Sequence, residues 1–320
     1  MGSPLNGYSM NVVMINDCAY VGETLLKYFP IELKGRQIKR SRGFWSKTFG
    51  LAYNILRAKA DVYHIHYLLQ DCYIAERLGK KPIIGHAHGS DLRLGLKHPA
   101  WGRIVRSNLK KCDRIFVSTP DILKTARRFR ADAEYLPNPF DKSLFYPKPI
   151  ANHEKKRVLI ASDSNWRVKG TDIAIRALNR IRDEIEVSII QYGADFEKTL
   201  HLAKSLGLRL NILQKAPHEK LNEYFWNADI VIDQFKLGSL GLISLEAIAS
   251  GRPVITYVSS EYDEYRDFPI KDVNKEEEIA SLTREADTRL WRREYSYLEK
   301  NHSLELIIRK LLKVYGEVYG

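Results

Sequence analysis

The stretch GSLGLISLEAIASGRPVITYV, residues 238–258, preceded by ADIVID at 228–233, contains one complete strand–helix–strand unit. An apolar run at 230–232 stops at Asp233 and gives way to a loop holding Gly238 and Gly241. A helix is expected over 242–250. Gly251 follows where a left-handed C-cap belongs, Pro253 bars continuation, and 254–258 opens the next strand. Leu242, Leu245 and Ala249 share one helix face by their spacing, and Glu246 falls on that same face. A carboxylate among core-facing positions is costly without a partner. A glycine loop opening a helix presents bare N–H groups and a positive dipole end, which suits phosphate. The two features together point to a nucleotide diphosphate at the helix start and a ribose hydroxyl on Glu246. An ordinary strand–helix–strand unit with a glutamate at its rim fits the same residues.

Upstream, the unit extends through RVLIASD (157–163) as a strand, TDIAIRALNRI as a helix, EVSIIQYG as a strand and HEKLNEYFWNA as a helix. The first half shows the same alternation. NVVMIND (11–17), DVYHIHYL (61–68), KPIIGHAHG (81–89) and DRIFVST (113–119) read as strands with helical segments between them. Such alternation is the mark of a parallel sheet covered by helices. The segment YLPNPFDKSLFYPKPI (135–150), with four prolines and no periodicity, reads as a domain junction. The expected architecture is therefore α/β: two Rossmann-like, doubly wound domains facing each other across a cleft. The first spans 10–148 and the second 149–302. An amphipathic helix at 303–320 is expected to pack on or across them.

With 320 residues the chain is long for one core and comfortable for two. Hydrophobic content of 44% and charged content of 28% place it among globular proteins, and no run approaches the roughly 18 apolar residues of a membrane span. Nothing like a secretory signal precedes Met10, and no fold element is expected in residues 1–9. Cys18, Cys72 and Cys112 are odd in number and scattered, which suggests a reducing compartment. Charge is unevenly divided. Residues 1–150 carry 25 Lys/Arg against 12 Asp/Glu, a balance of +13, whereas 151–320 carry 26 against 27, a balance of −1. This asymmetry suggests an anionic partner for the first half, be it a phospholipid surface, a phosphorylated acceptor or nucleic acid, unless it is merely a solvated basic face.

Three groups of residues have the makings of chemistry. Asn165, Arg167 and Lys169 lie between a strand and a helix for which Thr171 resembles an N-cap. Cations there oppose the helix dipole unless an anion sits between. His64 and His66, and likewise His86 and His88, are spaced by two and share a strand face. No third ligand type lies near either pair, so no metal is expected, and the readings left are a cleft-lining hydrogen-bond donor or a satisfied core histidine. The segment RQIKRSRGFWSKTFGLAYNILRAK (36–59) interleaves seven cations with Phe44, Trp45, Phe49 and Tyr53. Its Arg36, Lys39, Arg40, Arg42, Trp45 and Lys47 suit a bilayer interface or an anionic acceptor. A plain basic helix is the competing reading, and nucleic acid is not the expected partner. The chain has no Asp-x-Asp, so phosphate charge would be met by Arg, Lys and helix ends without Mg²⁺.

These positions together resemble the retaining glycosyltransferases of family 4, which have the GT-B fold, over nearly the whole chain from Met10. NWRVKGTDIAIRAL (165–178) resembles the family's basic diphosphate loop and GSLGLISLEAIASGRPVI its nucleotide-sugar glutamate motif. HAHGSDL (86–92) resembles its histidine loop, and YLPNPFDKSLFYP its Pro-Asn hinge. The resemblance implies that Lys169 and Arg167 neutralise the leaving diphosphate, Gly241 and Leu242 present N–H groups to it, and Glu246 holds the ribose. It also implies that His88 bonds the donor sugar and that Gly22 belongs to the first-strand loop beside the diphosphate. Two departures stand out. Where the family has a second glutamate, with seven residues between it and the retained one, this chain has Gly238. Where the family's arginine commonly falls, it has Ser164 and Trp166. Some relatives share the Asp-Gln pattern that starts at Asp233. The implied activity is transfer of a hexosyl group, with retention and without metal or other cofactor, from a UDP- or GDP-linked sugar to a lipid-linked or phosphorylated acceptor. The expected location is the cytoplasm, with peripheral contact at the membrane's cytoplasmic face. A nucleotide-sugar epimerase of the same fold and a catalytically silent module binding anionic membranes or nucleic acid are the alternatives.

Overall fold

A computed structural model describes residues 9–40, 49–151 and 153–320. The chain forms two compact units: Met1–Pro139 together with His302–Gly320, and Phe140–Asn301. Unit 1 is built on a six-stranded sheet of β1 (Met10–Ile15), β2 (Leu33–Ile38), β3 (Val62–His66), β4 (Ile83–Ala87), β5 (Arg114–Val117) and β6 (Glu134–Tyr135). The order is β2-β1-β3-β4-β5-β6 and every pairing is parallel. Unit 2 holds β7 (Lys156–Ile160), β8 (Ile185–Ile190), β9 (Leu210–Leu213), β10 (Ile230–Ile232) and β11 (Val254–Ile255). These run parallel in the order β11-β10-β7-β8-β9.

Apolar, β-branched runs bounded by turn residues produce these strands. Every residue of β3, β4 and β10 is buried, as expected of strands covered on both faces by helices. Val13, Ile15, Ile65, Val117 and Leu109 belong to one core, and Val158, Ile160, Ile189, Val231 and Leu245 to another. In each sheet the winding reverses beside the first strand of the unit, between β1 and β3 and between β7 and β10. Ligands of doubly wound sheets bind at the carboxyl ends of strands at such reversals.

The segment read from the sequence as one basic stretch at 36–59 is divided between elements. Its start lies in β2, where Arg36 pairs in register with Val13. Its end forms the helix Leu51–Arg57. Residues 41–48, including Arg42, Phe44, Trp45 and Lys47, lie outside the described residues. Two cations of the expected patch are engaged within unit 1: Lys39 pairs with Glu23, and Arg40 pairs with the fully buried Asp71. Asp71 also accepts from Asn16 Nδ2 at 3.1 Å, so Arg40 neutralises an interior carboxylate.

The closing helix, Leu304–Tyr319, belongs to unit 1. Ser303 caps it by accepting from the Leu306 amide, Lys310 reaches the Tyr135 carbonyl at 2.7 Å, and Tyr315 reaches His64. In unit 2, Arg252 has no exposure and donates to the carbonyls of Phe225, Trp226, Lys148 and Gly251 at 2.7–3.0 Å. Its guanidinium thus ties the proline-rich segment near 148 to the end of the helix Leu221–Trp226. A buried carbonyl left without a donor is costly, and this one side chain supplies a donor to several.

Candidate functional site

In unit 2 the loops after β7 and β10 meet at the sheet's reversal. In the first loop the Asn165 side chain accepts from the Val168 amide at 3.0 Å, and its carbonyl accepts from the Lys169 amide at 2.7 Å. The turn ends at Gly170, whose φ of +69° is left-handed, and the helix Thr171–Asn179 begins at the next residue. The expectation that Thr171 is the N-cap is corrected: Gly170 holds that position and no side chain caps the helix. This turn brings Lys169 Nζ to 3.4 Å from Oδ1 of Asp233, which is fully buried at the end of β10. Ser244 Oγ donates to the other carboxylate oxygen at 2.6 Å. Arg167, by contrast, is exposed and makes no salt bridge among the described residues.

The second loop is organised by Gln234. Its Nε2 donates to the carbonyls of Ser239 and Tyr257, and its Oε1 accepts from the amides of Lys236 and Leu237. Gly238 has φ +65°, and a Cβ there would lie 3.1 Å from the Ser259 Cβ and 3.2 Å from the Tyr257 ring. A glutamate at this position would meet left-handed strain and crowding, so the loop's shape matches the residue present. Gly241 is needed for a different reason. A Cβ there would lie 2.8 Å from Asp233 Oδ2. It is the N-cap residue of the helix Leu242–Ala249, with no side-chain cap on the first amides. The helix ends as expected at Gly251, whose φ is +92°.

Glu246, on that helix, is buried and accepts from His218 Nε2 at 2.7 Å. Burial raises its carboxyl pKa, and the His218 bond and charge oppose the rise. The partner that a carboxylate on an apolar face requires is therefore His218, in the short turn His218–Lys220. Sequence reasoning missed His218 because it stands alone among polar residues, with no spacing that links it to Glu246. Asp233 and Ser244 were likewise not singled out as site residues.

In unit 1 the four histidines converge. His66 and His86 face each other across β3 and β4, and His64 shares its strand face with His66. His64 Nδ1 lies 2.6 Å from the Tyr315 hydroxyl and its Nε2 lies 3.1 Å from His86 Nδ1. His66 Nδ1 lies 2.9 Å from His88 Nε2. One ring nitrogen each from His64, His66 and His86 falls within 4.8 Å of the others, so a third potential ligand, absent from either sequence pair, is brought in by the fold. His64 bonds both His86 and Tyr315 and His66 bonds His88, whereas His66 Nε2 and His86 Nε2 are buried with no hydrogen-bond partner among the described residues. Burial, reinforced by neighbouring imidazoles, holds His64, His86 and His88 well below the ordinary histidine range, and burial lowers His66 to about 4. The stack is thus neutral at physiological pH. His88 itself is half-buried just beyond β4, its amide donating to Asp91.

Gly22 does not lie in the loop after β1. It is the second residue of the helix Val21–Lys27, and Asp17 Oδ1 accepts its amide at 2.8 Å. Asn16, Ala19 and Tyr20 in that loop, and Tyr67 after β3, all have left-handed φ, a concentration of backbone strain at the sheet's reversal.

Two parallel sheets with helices, each with its loops gathered at a reversal, are the architecture of GT-B glycosyltransferases. The solved structures agree at the level of fold. Sucrose-phosphate synthase from Thermosynechococcus elongatus is 14% identical, with a TM-score of 0.72 covering 97% of this chain and 99% of that one. HepE of Anabaena, solved with UDP and glucose, is 13% identical with a TM-score of 0.72 over 95% and 99%. The model for glycosyl transferases group 1 matches residues 144–266, and that for glycosyltransferase family 4 matches 24–144. The chain belongs to the family 4 glycosyltransferases. It is 21% identical over 216 residues to N-acetyl-alpha-D-glucosaminyl L-malate synthase of Bacillus anthracis, covering 62% of this chain and 57% of that protein. It is 26% identical over 231 residues to D-inositol 3-phosphate glycosyltransferase of Corynebacterium diphtheriae, covering 61% and 54%. The matches thus span only about half the length of these curated relatives.

Proposed function

We propose that the protein transfers a hexosyl group, with retention of anomeric configuration, from a nucleoside-diphosphate sugar to an anionic or lipid-linked acceptor. Unit 2 holds the donor. The observation that carries this reading is the convergence, at one sheet reversal, of Lys169, the glycine-opened helix Leu242–Ala249 and the buried Glu246. Lys169 and the amides of Gly241 and Leu242 neutralise the departing diphosphate, and Arg167 adds long-range attraction from the surface. Glu246 takes the ribose, while Asn165 and Gly238 shape the loops around the diphosphate. Unit 1 carries the acceptor and supplies His88 as its polar group for the transferred sugar. UDP is the favoured leaving group because HepE, a structural neighbour, was solved with UDP-glucose, with GDP as the alternative.

No carboxylate is placed as a covalent nucleophile in this reading. The acceptor attacks on the face the diphosphate leaves, and the leaving phosphate takes the acceptor's proton. Catalysis is then positioning and preorganised positive charge, with no metal required. Slow hydrolysis of the donor in EDTA, with water as acceptor, tests this by NMR. The expected product is free sugar with the donor's anomeric configuration, seen before mutarotation. An inverted sugar, or an absolute need for divalent metal, contradicts the mechanism.

The acceptor is proposed to sit at the cytoplasmic face of a membrane. Phe49, Tyr53 and Leu56 are 66%, 56% and 56% exposed, and their spacing of four and three puts them on one side of the segment containing the helix Leu51–Arg57. No helix among the described residues is long and apolar enough to cross a membrane, so the contact would be peripheral. Sedimentation with anionic vesicles at low salt is expected, and Tyr53→Ser with Leu56→Ser should abolish most of it. Indifference to both lipid charge and these substitutions contradicts the surface.

A further inference from the structure

We propose that His218 is the positioning residue of the donor's ribose end: by a direct hydrogen bond it fixes the carboxylate through which Glu246 receives the ribose hydroxyls. The proposal rests on the reading of Glu246 as the ribose ligand and adds the group that makes that carboxylate competent.

Three segments of unit 2 are clamped together at this point. The Asn222 side chain on the helix Leu221–Trp226 donates to the Leu144 carbonyl at 2.7 Å. The adjoining Phe145 packs its ring 5.2 Å from the His218 imidazole and 6.2 Å from the Phe225 ring. The imidazole, so held, reaches Glu246 Oε1 at 2.7 Å, and both side chains are largely enclosed, at 13% and 5% exposure. At that length an N–H donates directly to the carboxylate, and the bond fixes its rotation.

The chemistry follows from what a ribose requires. Each of its two hydroxyls donates, and an ionised carboxylate can accept both. Glu246 lies in a setting that favours protonation, because burial and the neighbouring Asp233 both disfavour a second charge. A protonated carboxyl has one fewer acceptor site and turns a proton toward the ligand. His218 is the group that opposes this, by its hydrogen bond and its charge. Removing it should therefore cost the ribose contacts in particular, and leave the phosphate contacts at Lys169 in place.

Calorimetric titration of UDP and of 2′,3′-dideoxy-UDP into wild type, His218→Ala and His218→Gln tests the proposal. Wild type should prefer UDP by tenfold or more, the scale of charged hydrogen bonds lost with the hydroxyls. In His218→Ala the preference should fall to within about threefold, while dideoxy-UDP binds nearly as well as to wild type. The His218→Gln variant, whose amide can still donate, should recover part of the preference. Should His218→Ala fail to fold, His218→Phe replaces it, filling the space without a donor. A variant that folds and weakens UDP and dideoxy-UDP equally overturns the proposal, as does a wild type with no preference between them. A wild type that binds none of UDP, GDP and ADP overturns instead the donor-site reading on which the proposal stands.

Discussion

Lys169→Ala is expected to lower donor turnover by about a hundredfold to a thousandfold, the usual loss when one preorganised charge facing a developing anion is removed. The bond that breaks leaves negative charge on the diphosphate. In this loop Lys169 is the cation that the structure holds in place, through its pairing with Asp233. Arg167 stands exposed, so the same change there should cost far less. Removing the lysine also leaves the fully buried Asp233 carboxylate with Ser244 as its remaining side-chain donor, so some lost stability could be mistaken for lost chemistry. The double variant Lys169→Ala with Asp233→Asn separates the two. It removes the buried charge and should restore the melting temperature without restoring turnover. Steady-state kinetics beside thermal melts of both variants make the test. Near-normal turnover in either one contradicts the assignment.

The second large effect is on stability against pH. Unfolded, each histidine takes up its proton near the ordinary value of 6.5. Folded, His66 and His302 do so near 4, and His64, His86 and His88 hold out well below 6.5. Burial is the first cause at each. Between those values the unfolded chain binds more protons than the folded one, so stability falls as pH falls from about 6.5 toward 4. Each histidine contributes up to about 1.4 kcal/mol per pH unit. From pH 7.5 to 5, His66 and His302 alone come to roughly 4 kcal/mol, or on the order of 10 °C in melting temperature. Both lie in unit 1, so this unit should melt first in acid. Calorimetry at pH 7.5 and 5.0 reads the shift. A unit 1 transition that does not move would mean that the stack is hydrated or already charged.

Much of this was legible in the chain, because strands covered on both faces and helix ends leave strong marks. The alternation of apolar runs with helical stretches foretold two parallel sheets. Gly251 before Pro253 foretold the end of the helix Leu242–Ala249, and Glu246 announced by its face that it needed a partner. What could not be read was the partner, since His218 and Glu246 meet only after the helix Leu221–Trp226, the strand β10 and the loop that follows it have been placed. The Asp-Gln pair at 233–234 was equally opaque. In sequence it is merely polar after a strand, whereas in the fold Asp233 holds Lys169 and Ser244 while Gln234 bonds four backbone groups of its own loop. Composition misled at Arg40, which counted as a surface cation but is the counter-charge of buried Asp71. Charge content reports how many cations there are, not which carboxylates of the interior require them.

The central claim is that unit 2 binds a nucleoside diphosphate through Lys169 and Glu246. Calorimetric titration of UDP, GDP and ADP in EDTA, into wild type, Lys169→Ala and Glu246→Ala, tests it most directly. One of the three nucleotides should bind wild type without metal and at least tenfold more weakly to each variant, the loss expected of a charged contact. Binding that is indifferent to both substitutions, or no binding by folded wild type, would contradict it.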